Sequence, residues 1–174
     1  VEMNRKHQFN KDLYLKFGKL GVLGQTVKSH GGSGTSNLAY GLVAYELERI
    51  DSSYRSSISV QSSLVIHPIN EFGTENQKNK YLPELISGRK IGCFGLTESE
   101  AGSDPSSMKT TFKEVSDGFI INGSKNWITN APIADVFIIW ALEENKDHKS
   151  IKGFILEKNF KGLNTSQIEN KTSL

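Results

Sequence analysis

The sequence predicts an α+β protein in which an N-terminal all-helical part is followed by an antiparallel, β-barrel-like domain. Before residue 90, apolar residues recur at spacings of three and four, which is typical of helix faces. After residue 90, short runs rich in β-branched and aromatic residues alternate with turn dipeptides, which is typical of strands. We therefore expect a helical domain over 1–89 and a β domain over 90–174.

Two helices are predicted around a glycine-rich break. The first covers FNKDLYLKFGKLG and ends at a glycine that can stop it. The second covers NLAYGLVAYELERID and follows a possible cap at Thr35 or Ser36. Its apolar residues share one face, and we expect them to form a largely buried stripe: Leu38, Leu42, Tyr45 and Ile50.

Two further helices complete the first half. SYRSSISVQSSLVIHPI should be helical up to Pro68, because proline cannot donate a backbone hydrogen bond within a helix. TENQKNKYLPELISG opens with Thr74 and Gln77 at the spacing of a capping box. This last helix should close at Gly88.

The second half contains five candidate strands. They lie in KIGCFGLTE, TTFKEV, GFIINGSKNWITN, ADVFIIWALEE and IKGFILEK. Asp117-Gly118 and Asn122-Gly123 are dipeptides typical of hairpin turns. We therefore expect the strands to close as an antiparallel sandwich or barrel.

Composition argues against several classes of protein. Of 174 residues, 36% are hydrophobic and 23% are charged, and no apolar run approaches the roughly 20 residues of a membrane span. The N-terminus lacks the apolar core of a secretion signal, so an intracellular setting is expected. The 21 basic and 19 acidic residues are interspersed, which makes nucleic acid an unexpected partner. One cysteine and four distant histidines predict no internal disulfide and no structural metal.

The stretch GCFGLTESEAGSDPSS follows an apolar strand with small and polar residues. Gly102 beside Ser103 could bring backbone N–H groups against an anionic or polar ligand. The alternative is an ordinary turn, which the stretch alone favours.

A second candidate site lies in DSSYRSSISVQSS. On a helix, Ser52, Ser56, Ser59 and Ser63 form a hydroxyl stripe, with Arg55 one turn before Ser59. A guanidinium with adjacent hydroxyls can hold a carboxylate. Spacing alone favours the alternative, in which Arg55 pairs with Glu48 or Asp51 and the small residues let helices approach.

Trp127 in NGSKNWITN is the third candidate. In a strand it could be exposed and stack on a planar ring, or it could pack inward as core. Thr129, two residues on, would share its face. Packing inward is the more frequent fate of tryptophan, so the segment alone favours the core position.

Three motifs together resemble the acyl-CoA dehydrogenases: GCFGLTESEAGSDPSSMKT, IINGSKNWITNAPIADVFIIWA and IKGFILEKNFKGL. Within that family, YRSSISVQSS and its surroundings are most similar to the glutaryl-CoA dehydrogenases, which act in lysine and tryptophan degradation. The resemblance implies an FAD enzyme that oxidises an acyl-CoA thioester and passes electrons to an electron-transfer flavoprotein.

The resemblance also implies roles for individual residues. Those expected to contact FAD are Phe94, Leu96, Thr97, Gly102, Ser103, Trp127, Ile128 and Thr129. Arg55, Ser56 and Ser59 are expected to bind the free carboxylate of glutaryl-CoA, and Ser103 to reach the thioester. The reaction would combine α-proton abstraction, hydride transfer to flavin and decarboxylation to crotonyl-CoA.

The resemblance further implies that both domains are incomplete at their outer ends. The glutamate base is expected beyond Leu174, so no residue here is named as catalytic, and the chain alone is not expected to retain flavin. Ser99 stands where many relatives have proline, which should loosen the turn. The complete protein is expected to be a homotetramer, cytoplasmic in a bacterium or in the mitochondrial matrix of a eukaryote. The alternatives are an acyl-CoA dehydrogenase for another acyl chain, or a truncated module that binds a partner without catalysis.

Overall fold

A computed structural model describes residues 9–146 and 150–169 of the chain. Contacts divide the chain into two compact units between Ile91 and Gly92. The first unit is helical and the second is built on one sheet. The predicted α+β class, with helices first and strands second, is therefore confirmed. Within the described residues, no helix is long and apolar enough to cross a membrane.

The helical unit contains five described α-helices and one π-helical segment. The α-helices are α1 (Leu13–Lys19), α2 (Asn37–Ile50), α3 (Ser52–Ser59), α4 (His67–Phe72) and α5 (Glu75–Ile86). The π-helical segment, Val60–Ile66, joins α3 to α4 without a break. The longest described helical stretch therefore runs over 52–72.

The expectation that this stretch ends at Pro68 is wrong. Pro68 lies in the first turn of α4, directly after the π-helical segment. There the N–H of His67 donates to the carbonyl of Ser62, five residues back. A proline ring normally clashes with the carbonyl four residues back, and the wider π turn accommodates it.

The π-helical segment also carries a buried amide. Gln61 is fully buried, and its Nε2 donates to the carbonyls of Leu85 and Lys90, each at 2.9 Å. The carbonyl of Leu85, near the end of α5, also accepts from the N–H of Gly88 at 3.2 Å, so the amide adds a further hydrogen bond to that end of the helix. Gln61 thereby ties the end of α5 to the π-helical segment.

The sequence signals for the ends of α5 are confirmed. Thr74 Oγ1 accepts from the N–H of Gln77 at 3.3 Å, and Gln77 Oε1 accepts from the N–H of Thr74 at 2.9 Å. Gly88 follows the helix with φ +73°, a conformation that glycine adopts without steric cost. Both signals are local, which is why they could be identified without knowledge of the fold.

The buried stripe predicted on α2 is not buried. The N-cap is as expected, because Ser36 Oγ accepts from the N–H of Ala39. The stripe itself is 59–75% exposed, and no residue of α2 is buried. The spacing identified which face is apolar, but it contained no information on what would cover that face. The fully buried side chains of this unit lie elsewhere and include Tyr14, Leu23, Ile66, Leu82 and Leu85.

The second unit contains five described strands. They are β1 (Gly92–Gly95), β2 (Thr111–Val115), β3 (Gly118–Asn122), β4 (Val136–Glu143) and β5 (Ile151–Glu157). β4 is central, since it pairs with β1, β2 and β5. Buried Cys93, Ala134 and Phe137 form a core cluster against the sheet.

The predicted antiparallel, barrel-like closure differs from the observed sheet. β1 and β2 both pair with β4 in parallel, whereas β2–β3 and β4–β5 are antiparallel. Over the described strands the sheet is therefore mixed, and it is not closed. Turn dipeptides predict pairing only between neighbours in sequence, whereas parallel pairing requires a long connection.

Only one of the two turn dipeptides makes a hairpin. Gly118 pairs with Val115 across the β2–β3 turn. Asn122-Gly123 instead ends β3, and 123–130 is a loop with a short turn rather than a strand. A Cβ at Gly123 would collide with Thr110, directly before β2, so the close approach of the chain at this point requires glycine.

Candidate functional site

The residues expected to contact the cofactor lie mainly in two loops of the sheet unit. We call residues 96–103, which follow β1, the β1 loop, and residues 123–130, which precede β4, the Trp127 loop. The N–H of Asn126 donates to the carbonyl of Thr97 at 2.9 Å. Its Nδ2 donates to Ser99 Oγ at 2.6 Å. The structure therefore brings together two segments that are separated in the sequence by the 19 residues 104–122.

Trp127 is presented outward from its loop. Its side chain is 67% exposed, which is the exposed one of the two alternatives left open by the sequence. The expected strand context is wrong, because Trp127 has φ +60° and lies outside any described strand. A bulky residue in this left-handed region costs on the order of 1–3 kcal/mol and persists only where the surroundings enforce it.

The residues after Trp127 anchor the loop. Ile128 is half-buried and packs on the cluster around Cys93. Thr129 is exposed within a turn, so the expectation that it shares a strand face with Trp127 is also wrong. Asn130, with φ +71°, donates from Nδ2 to the carbonyl of Gly92 at 3.2 Å.

The β1 loop contains a tight turn. Phe94, in β1 just before the loop, packs edge-on against Trp140 with ring centroids 6.1 Å apart. Glu98 and Ala101 exchange backbone hydrogen bonds of 3.1 and 3.3 Å. Leu96 and Thr97 are half-buried, whereas Gly102 and Ser103 are exposed. A Cβ at Gly102 would meet only open space, so this end of the loop is accessible to a ligand.

Sequence reasoning missed the ion pair that joins the two loops. Lys125 Nζ lies 2.7 Å from Glu98 Oε1, and the two side chains are 7% and 8% exposed. Lys125 Nζ also donates to the carbonyl of Leu96 at 3.0 Å. The backbone N–H groups of Lys109 and Thr110 donate to Glu98 at 2.6 and 3.0 Å. The sequence signal that could have indicated this pair is that Glu98 and Lys125 are oppositely charged and each lies within a segment of small and polar residues.

This environment keeps Glu98 ionised. Burial acts to raise the pKa of the carboxyl, because it disfavours charge. The hydrogen bonds from Lys125 and from the backbone of Lys109 and Thr110 outweigh burial and hold the pKa at about 2. Glu98 is therefore a charged structural group at neutral pH.

In the helical unit, Arg55 pairs with an acid, as the alternative interpretation of the sequence proposed. Its Nε lies 2.6 Å from Glu48 Oε2, and its side chain is 36% exposed. Ser52 Oγ donates to the other oxygen of Glu48 at 2.6 Å. Hydrogen bonds from Ser52 and Arg55 hold the pKa of Glu48 below its usual range.

The rest of the hydroxyl stripe divides between two environments. Ser59 and Ser63 both hydrogen-bond the hydroxyl of Tyr40, at 3.0 and 2.8 Å. Ser56 is half-buried on α3, one residue after Arg55. Arg55, Ser56 and Ser59 lie in the helical unit, whereas the fourth residue expected to contact substrate, Ser103, lies in the sheet unit.

Residues 9–146 and 150–169 contain no group of three or more His, Cys, Asp or Glu side chains that could hold a metal ion. His7 and His148, two of the four histidines in the sequence, lie outside the described residues.

Comparison with known proteins identifies a family over both units. The family model for the acyl-CoA dehydrogenase N-terminal domain matches residues 1–89. The model for the acyl-CoA dehydrogenase middle domain matches residues 93–174. The chain is 38% identical to a short-chain specific acyl-CoA dehydrogenase of Clostridium acetobutylicum, over all of this chain and 46% of that protein.

Solved structures agree. A glutaryl-CoA dehydrogenase from Mycobacterium smegmatis in complex with FADH2 has a TM-score of 0.94 and 40% identity, over 99% of this chain and 44% of that one. A structure described as an electron transferring flavoprotein of Acidaminococcus fermentans has a TM-score of 0.90 and 38% identity, over 98% and 45%. The chain thus spans less than half the length of these relatives. The matches over both units show that the chain belongs to the acyl-CoA dehydrogenase family.

Proposed function

We propose that this chain is the N-terminal and middle-domain part of an FAD-dependent acyl-CoA dehydrogenase that oxidises and decarboxylates glutaryl-CoA to crotonyl-CoA. The observation that carries the cofactor assignment is the exposed Trp127, held beside an accessible loop of small and polar residues. Similarity to an FADH2-bound glutaryl-CoA dehydrogenase supports the same assignment. Electrons would pass to an electron-transfer flavoprotein.

The two loops fit an isoalloxazine ring in shape and chemistry. An exposed indole offers a flat apolar surface on which a planar ring can stack. Thr97 and Thr129 lie in the two loops and would supply hydroxyl groups at its polar edge, and the open space at Gly102 would admit the thioester beside Ser103. Phe94, Leu96 and Ile128 would form the apolar support.

The role of these residues in the reaction would be orientation. FAD, when bound, supplies the acceptor for the hydride that leaves the β-carbon of the acyl chain. Trp127 would fix the plane of the ring, and Ser103 would position the thioester above it. The small residues of the β1 loop would bring backbone close to the ligand. The base that removes the α-proton would lie in chain beyond Leu174.

Selectivity for a substrate with a free carboxylate would depend on Arg55. The guanidinium uses Nε to bind Glu48, and its two Nη groups make no hydrogen bond to the described residues. Those groups can hold a carboxylate through two parallel charge-assisted bonds. Glu48, itself held by Ser52, would keep the guanidinium oriented, and Ser56 and Ser59 would add hydroxyl donors.

The test of this selectivity compares two substrates in the protein expressed from its complete gene. We expect Arg55→Ala to raise the KM for glutaryl-CoA by about 10–100-fold, because a hydrogen bond to a charged group contributes roughly 1.5–3 kcal/mol. The KM for butyryl-CoA should change little. Arg49→Ala is the matched control, since Arg49 pairs with Glu46 at 3.0 Å on the exposed surface of α2.

Equal effects of Arg55→Ala on both substrates would favour the second candidate, an acyl-CoA dehydrogenase for another acyl chain. The 38% identity to a short-chain specific enzyme supports that candidate. Release of CO2 together with crotonyl-CoA would distinguish a decarboxylating enzyme from one that only oxidises glutaryl-CoA. A truncated, non-catalytic binding module would turn over neither substrate.

Flavin retention tests how much of the site this chain supplies. We propose that further protein segments complete the FAD site, in a homotetramer of the full-length protein. The chain alone should then lose flavin on desalting, whereas the protein from the complete gene should keep it. A stoichiometric flavin absorbance band on the desalted 174-residue chain would contradict this proposal. The compartment, cytoplasm or mitochondrial matrix, would follow from the source organism.

A further inference from the structure

The segment that carries Trp127 is fixed at both ends to one stretch of chain. On its N-terminal side, Lys125 and Asn126 bind the carbonyls of Leu96 and Thr97. On its C-terminal side, Asn130 binds the carbonyl of Gly92. Trp127 lies between these attachments, in a left-handed conformation that it would not adopt freely.

The attachments differ in how strongly they hold. The bonds made by Asn126 and Asn130 are between neutral groups. Lys125 instead brings a charge into a site where its side chain is 7% exposed, and Glu98 neutralises that charge at 2.7 Å. The same Nζ binds the carbonyl of Leu96, so the charged group that pairs with Glu98 also sets the position of the β1 loop.

Glu98 extends this connection to a third segment. Its two oxygens accept from the N–H groups of Lys109 and Thr110, just before β2. The carboxylate therefore joins the β1 loop, the Trp127 loop and the entry to β2 at one point. The side chains of Lys125 and Glu98 are 7% and 8% exposed, so each is surrounded mainly by protein.

We infer that Glu98 and Lys125 are positioning residues, whose ion pair holds Trp127 in its outward, left-handed conformation and so pre-forms the surface on which flavin stacks. The part that concerns flavin rests on the proposed function. The part that concerns Trp127 does not, because it is a property of the chain without ligand. Pre-formed sites bind more tightly because less conformational freedom is lost on binding.

Tryptophan emission anisotropy tests the part that needs no flavin. In a Trp140→Phe background, Trp127 is the only tryptophan of the sequence. We expect Glu98→Gln and Lys125→Met each to lower the anisotropy of Trp127 and to raise its quenching by acrylamide. Glu114→Gln, an exposed glutamate of β2 outside both loops, should leave both quantities unchanged.

The single variants leave one buried charge without its partner and could fail to fold. The double variant Glu98→Gln/Lys125→Met removes both charges together and avoids that penalty. If it folds with the same anisotropy as the parent, the inference is overturned. Native-state hydrogen exchange of the unmodified protein gives an independent check. The N–H of Asn126 should exchange in the same opening event as those of Lys109 and Thr110, and earlier exchange of Asn126 would also overturn the inference.

Flavin affinity is measured separately, in the protein from the complete gene. The double variant should bind FAD more weakly by about tenfold, since a Trp127 side chain that is mobile before binding has to be immobilised in the complex. If the unsubstituted protein binds no FAD but Trp127 becomes mobile in the variants, the proposed function fails and the positioning role stands. If FAD binds equally well to the unsubstituted protein and to the double variant, the positioning role for flavin fails and the proposed function stands.

Discussion

Acid should remove a definable part of the stability of the sheet unit through protonation of Glu98. The pKa of this carboxyl is about 2, against an ordinary value of 4.5. Protonation would remove the negative charge that pairs with Lys125 Nζ at 2.7 Å. A change of pH therefore tests the contribution of this one carboxyl group to stability.

The magnitude follows from the pKa. A difference of about 2.5 between the unfolded and folded values corresponds to about 3 kcal/mol, at about 1.4 kcal/mol per pKa unit. Because the folded-state pKa is the lower one, this stabilisation is complete above about pH 5.5. It is lost as the pH falls through 4.5 towards about 2.

The assay compares the unsubstituted protein with Glu98→Gln in urea, at a series of pH values between 7 and 2. Both tryptophans, Trp127 and Trp140, lie in the sheet unit, so their emission reports its unfolding. At pH 7 the variant should be less stable by about 3–5 kcal/mol, because Lys125 is left buried without its partner. At pH 2.5 the unfolding free energies of the two proteins should differ much less.

This reasoning would be refuted if the unfolding free energies of the unsubstituted protein and Glu98→Gln differed by the same amount at pH 7 and at pH 2.5. Such a result would mean that Glu98 is not stabilised in its charged form. Glu114→Gln serves as the control, since Glu114 is exposed and its loss should cost at most about 1 kcal/mol at any pH.

Four further predictions concern single side chains. Thr74→Ala should lower the unfolding free energy by about 1 kcal/mol, because it removes half of the capping box of α5, and urea unfolding followed by circular dichroism at 222 nm would measure it. Trp127→Gly should change the unfolding free energy by less than about 1 kcal/mol, since the exposed indole contributes little and glycine relieves the left-handed strain. Phe112→Ala should lower the unfolding free energy by about 3–5 kcal/mol, because the Phe112 ring is only 2% exposed and its removal leaves a cavity. Cys93 should not react with a thiol reagent at pH 8 until the protein unfolds, because burial raises the pKa of its thiol to about 12.

The features that could be predicted from sequence depend on residues close together in the chain. The capping box of Thr74 and Gln77 spans four residues, and the Ser36 cap spans a similar distance. The order of helices and strands follows from local periodicity in the same way. Family motifs gave the candidate site residues, although their roles remain proposals.

The features that could not be predicted depend on long-range contacts. The apolar stripe of α2 was identified, but its exposure depends on what packs against it. Parallel pairing of β1 with β4 joins Gly92 to Val136, across two intervening strands. The Glu98–Lys125 pair spans 27 residues, and no spacing rule relates an acid and a base so far apart.

The buried pair also constrains how this sequence can change. Replacing Glu98 or Lys125 alone leaves a buried charge without a partner, at a cost of about 3–5 kcal/mol that is a large part of the stability of a typical domain. Replacing both together with neutral residues avoids that cost. Across related sequences the two positions should therefore be inherited as a unit, and a chain that has lost the acid should also have lost the lysine.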